Sequence, residues 1–180
     1  MPKIKSTPRP FEKLALDLFK QAKEQLQANK SFAATVFLAY PFSIEVFELS
    51  FRGPQEKYAS FASVVDLAAR TRADAIITIT DQRVRNLPQK AAREQFRKRY
   101  CQGDLEAEKA LEELGMIVSP RDGPDWGLSA AYKLAADTGS IVFGRAKSNT
   151  RAPYTNNLVP ESWKTASKAQ PANRRSRQSV

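Results

Sequence analysis

Histidine is absent from all 180 residues, and that absence excludes more chemistry than any other feature of the composition. Ser-His-Asp and Cys-His catalysis, imidazole general-base chemistry and histidine-ligated zinc all need a ring that the chain does not contain. An enzyme built from this sequence is left with carboxylates and a hard metal such as magnesium, with lysine, or with a lone thiol. That thiol is Cys101, the single cysteine. It makes no internal disulfide and no thiolate cluster, and with no base or second cysteine to work with it reads as incidental.

Long apolar runs are missing too. A membrane-spanning helix needs about 20 apolar residues, whereas "AATVFLAYPF" ends after ten and the opening "MPKIKSTPRPF" has lysines but no apolar stretch. No transmembrane segment is predicted, and with one cysteine the expected location is cytoplasmic. Acid is scarce relative to base, with 19 Asp and Glu against 29 Lys and Arg. The excess is localised. Residues 1–9 carry Lys3, Lys5 and Arg9; Gln82–Tyr100 carries seven basic residues against Glu94; Trp163–Val180 carries five and no acid. Everything outside these three segments totals −4.

What is present suits one ordinary core, since 42% of the residues are apolar. "FEKLALDLFKQAKEQLQ" spaces Phe11, Leu14, Ala15, Leu18, Ala22 and Leu26 as an amphipathic helix. "AATVFLAY" and "IEVFELSF", broken by "PFS", read as a β-hairpin. "QEKYASFASVVDLAARTRA" is again helical, and "DAIITIT" reads as a strand buried on both faces. Beyond it, "DLEAEKALEELG" predicts a helix capped by Gly115, "MIVSP" a strand, "LSAAYKLAADTG" a helix with Asp125 at its N-cap, and "SIVFGRA" a last strand.

Strands alternating with helices predict an α/β fold. The expectation is a single layered domain over 10–162 with a mixed sheet, its strands mostly parallel after the hairpin. A basic arm, 1–9, precedes it; a basic helical insert occupies 82–100; a disordered basic tail spans 163–180, where apolar periodicity stops.

The insert carries the main functional signal. On a helical wheel Ala92, Phe96 and Tyr100 form a narrow apolar stripe beside a cationic one of Lys90, Arg93 and Arg97. Such a face suits phosphate oxygens. The reading is a small, non-catalytic protein that associates with DNA or RNA independently of sequence, through Arg83, Arg85, Lys90, Arg93, Arg97, Lys98 and Arg99 with Arg174, Arg175 and Arg177 of the tail. No cofactor is expected. One alternative is a magnesium-dependent phosphoester enzyme: if the strands ending at Asp81 and before Asp122 and Asp125 were parallel neighbours, these carboxylates would share a rim. Aspartates at such places are also ordinary turn and cap residues. The other alternative is an interaction module meeting an acidic protein or an anionic surface.

Overall fold

The fold comes from a computed structural model, which describes residues 9–84, 111–135, 138–149, 158–160 and 162–169. The chain begins with α1 (Glu12–Asn29), followed by the hairpin strands β1 (Ala34–Ala39) and β2 (Ile44–Leu49), then α2 (Pro54–Thr71) and β3 (Ala75–Val84). After the 85–110 stretch come β4 (Leu111–Pro120), β5 (Trp126–Leu134), β6 (Ile141–Phe143), β7 (Lys147–Asn149) and the helix α3 (Ser162–Ala169).

The strands form one seven-stranded sheet in the order β2-β1-β3-β4-β5-β6, with β7 also on β5. Every pairing in it is antiparallel. The expected mixed sheet with mostly parallel strands is therefore overturned. Two segments that pattern as helices are strands. In β4 the set that points to one core is Leu114, Met116 and Val118, a period of two, and Gly115 lies inside the strand instead of capping a helix. In β5 the alanines, leucines and lysine favour a helix locally, but Trp126, Leu128 and Ala130 alternate onto the same core. Tertiary packing overrides local preference there. Without a helix between β4 and β5, the connection shrinks to residues 121–125, and so short a link joins antiparallel strands only.

Helices cover both faces of the sheet. α1 lays Ala15, Phe19, Ala22 and Leu26 against Ile77 and Ile79 of β3 and the alternating residues of β4 and β5. On the opposite face α2 packs Phe61, Val64, Val65 and Ala68 against Val36 and Leu38 of β1 and Ile76 of β3. β3 is consequently apolar on both sides, a pattern that suits a parallel strand but arises equally in an antiparallel sheet sandwiched by helices.

Close approach fixes one glycine. A Cβ on Gly127 would lie 2.7 Å from the Met116 carbonyl oxygen on β4, a separation that no ordinary side chain tolerates.

Residues 163–169 of the expected tail lie in the helix α3. Trp163 lies in α3, is 2% exposed and belongs to the α2-side core, so ordered structure runs through Ala169. Gln82, Arg83 and Val84 continue β3 and are not part of a helix. The rest of the basic insert, Cys101, residues 104–110 of the expected helix, residues 1–8 of the arm and residues 170–180 of the tail lie outside the described residues.

Candidate functional site

The antiparallel arrangement sorts the predicted residues between two ends of the sheet. Ala75 pairs with Pro120 at one end of the β3–β4 ladder and Val84 with Leu111 at the other. Asp81 sits near the second end, whereas Asp122 and Asp125 follow Pro120 at the first. The strand rise from Ala75 to Asp81 amounts to about 20 Å, at roughly 3.4 Å per residue. The shared rim, which parallel strands would have created, does not form. No helix starts near Trp126 to offer its N-terminus, because Trp126 begins β5.

At the first end the polar groups lock the structure together. Ser119 Oγ donates to Asp125 Oδ1 at 2.9 Å and accepts the indole N–H of Trp163 at 3.1 Å. Lys164 Nζ reaches Asp125 Oδ1 at 2.6 Å and the Gly123 carbonyl at 3.0 Å. Arg121 is bound by its backbone N–H to the Asp74 carbonyl at 2.8 Å and by its guanidinium to the Ala73 carbonyl. These contacts tie α3 and the β4–β5 turn to the start of β3. Asp125 is engaged by an ion pair and a hydroxyl, so its role is attachment. Sequence reading missed Trp163 and Lys164 because a single tryptophan in a polar stretch leaves no periodic signal.

At the second end a cleft of about 430 Å3 is lined by Lys30, Phe32, Asp81, Glu112, Tyr132 and Ile141 among others. The Tyr132 hydroxyl donates to Asp81 Oδ1 at 2.7 Å, and its ring meets Phe143 with centroids 5.4 Å apart. The register places Arg83, Glu112, Tyr132 and Phe143 in one row across four strands. Among the described residues no group of three or more His, Cys, Asp or Glu side chains has the placement of a metal site. No described helix is long and apolar enough to cross a membrane.

Of the predicted phosphate-contacting residues, Arg83 lies in β3. Arg85, Lys90, Arg93, Arg97, Lys98, Arg99, Arg174, Arg175 and Arg177 lie outside the described residues. Further cations, not singled out from the sequence, gather along the β6–β7 edge. From Thr138 to Asn149 the charged residues are Arg145 and Lys147, with no acid among them, and Arg9 reaches the Ser148 hydroxyl there. Comparison of the chain with protein-family models, curated proteins and solved structures finds no match.

Proposed function

We propose that the protein associates with nucleic acid without catalysis, through sequence-independent contacts between its Lys and Arg side chains and phosphate oxygens. The observation that carries this reading is the closure of the β3–β4 ladder at Val84 and Leu111. It fixes both ends of the 85–110 stretch at one end of a rigid sheet, so the six basic residues from Arg85 to Arg99 are tethered to that end. Lys30, at the C-terminus of α1, and Lys133, near the end of β5, stand at the same end. Cations tethered together release several condensed counterions on one polyanion, and that release is what makes such binding strong at low salt and weak at high salt. The separation of Asp81 from Asp122 and Asp125 leaves the magnesium reading without its premise.

Fluorescence anisotropy with labelled duplex and single-stranded oligonucleotides across a salt series tests the proposal. Neutralising Lys90, Arg93 and Arg97 together lowers the log–log salt slope on duplex DNA by about 2.7, at roughly 0.9 per phosphate contact. Affinity falls alike for unrelated sequences, since phosphate contacts position a protein without reading bases. Absence of binding to DNA and RNA at low salt overturns the proposal in favour of an acidic protein or anionic surface as partner.

A further inference from the structure

The two edges of the sheet carry opposite charge. β2, at one edge, bears Glu45 and Glu48, the sole charged residues between Ser31 and Phe51. The same strand exposes Ile44 at 42% and Val46 at 56%, and Phe42 in the turn before it is fully exposed. The opposite edge bears Arg145 and Lys147 and exposes Val142 at 47%. Among the described residues no further strand pairs with either edge. Strand edges of this kind, with exposed apolar side chains, are templates for another strand.

We propose that the protein self-associates head to tail, the β2 edge of one copy adding to the β6–β7 edge of the next. The fold supplies the direction. Every step from β2 to β6 is antiparallel, so the sixth strand in the order runs opposite to the first. A second copy placed beside the first in the same orientation therefore presents β2 antiparallel to β6–β7, with the faces of the two sheets aligned.

Register follows from the pairing already present. Ser129 pairs with Lys147 and Tyr132 with Phe143. The β6–β7 edge thus holds one residue more than β5 over this interval, a bulge at Gly144–Ala146. With Glu45 of the incoming copy opposite Lys147, the extra residue brings Glu48 opposite Phe143 and Leu49 opposite Val142. Glu45, Leu49, Val142 and Lys147 then share one face, and Arg145 stands in the bulge between the two glutamates. The bulge interrupts main-chain pairing midway, so side-chain charge decides the fit. A two-fold pairing of β2 with β2 would instead gather four glutamates in one ribbon. Because the head-to-tail contact joins two different edges, it leaves an edge free at each end and generates assemblies larger than dimers.

The test is sedimentation velocity of the full chain, nuclease-treated and freed of nucleic acid, over a concentration series at low and high salt. Wild-type protein forms species beyond the dimer, in proportions that fall with salt. The double reversals Glu45→Lys with Glu48→Lys, and Arg145→Glu with Lys147→Glu, each raise the apparent dissociation constant at least about tenfold. Mixed one to one, the two variants associate again, since each edge then finds its opposite. Circular dichroism of each variant alone checks that it is folded, and Val46→Lys provides a second, independent block of the β2 edge. A wild-type protein that is monomeric at every concentration, a dimer that survives Arg145→Glu with Lys147→Glu, or a mixture that stays monomeric overturns the proposal.

Discussion

Trp163 donates its indole N–H to the Ser119 hydroxyl at 3.1 Å across 44 positions of sequence. Both residues are buried, Trp163 at 2% and Ser119 at 1% exposure. A polar group placed that deep is tolerated because it is paired, and the pair makes α3 part of the domain core.

Removing that side chain exposes the consequence. Trp163→Ala lowers the unfolding free energy by about 3–5 kcal/mol through the cavity it leaves, read as the midpoint of urea unfolding. Truncation separates the contribution of α3 from that of residues 170–180. A chain ending at Ala169 keeps the wild-type midpoint, whereas one ending at Pro160 loses as much as Trp163→Ala. Equal stability of both truncations would show that α3 contributes nothing.

Lys164 and Asp125 are only 15% and 20% exposed, so their pair is screened less than a surface ion pair. Lys164→Met leaves the carboxylate with Ser119 as its protein partner among the described contacts and costs about 1–2 kcal/mol. Asp125→Asn costs a similar amount. In a double-mutant cycle the two losses are not additive, since each substitution already removes the shared contact.

Tyr40 gives the pH dependence. Burial raises its phenol above the ordinary value of 10.0, against a hydrogen bond with Thr71 that lowers it, and the Glu45 charge adds to the rise. The folded state thus holds this proton more tightly than the unfolded chain does. The stabilisation is complete below the unfolded value and is lost as pH climbs through the folded one. Urea midpoints measured from about pH 9 upward, below the ordinary phenol value, fall more steeply for the wild type than for Tyr40→Phe. Parallel curves would remove Tyr40 as the source.

Gly127→Ala tests the close approach of β5 to β4. The added methyl meets the Met116 carbonyl oxygen, so the ladder shifts, at a cost of about 1–3 kcal/mol. Ser129→Ala, two residues along the same face, costs less because no atom is added.

Magnesium provides a test at the opposite ends of β3. Because Asp81 lies far from Asp122 and Asp125, adding millimolar magnesium leaves the thermal midpoint unchanged within about 1 °C, as expected of an ion that these separated carboxylates do not hold together. Asp81→Asn does not alter that result. A clear rise in the wild type, abolished by Asp81→Asn, would restore the metal reading.

Several elements are legible from local pattern alone. The three-and-four spacing of Ala15, Phe19, Ala22 and Leu26 marks α1, and the short break "PFS" between two runs of aromatic and branched residues marks the β1–β2 hairpin. "IITIT" is a strand as its pattern suggests, although it carries on past Asp81 through Val84. The second half misleads, because "LEELG" and "LSAAYKL" contain residues that favour a helix in isolation and become strands only where a partner edge is offered, by β3 to the first and by β4 to the second.

The sequence by itself determined the composition-level facts: no histidine chemistry, no helix of spanning length among the described elements, and an excess of positive over negative charge localised to a few segments. Tertiary structure alone decided strand direction, and with it the separation of Asp81 from Asp125, the burial of Trp163 and the opposite charges of the two sheet edges. The reason is range. Composition and periodicity report interactions within a few residues, whereas pairing register and edge position depend on residues dozens of positions apart, which local pattern does not encode.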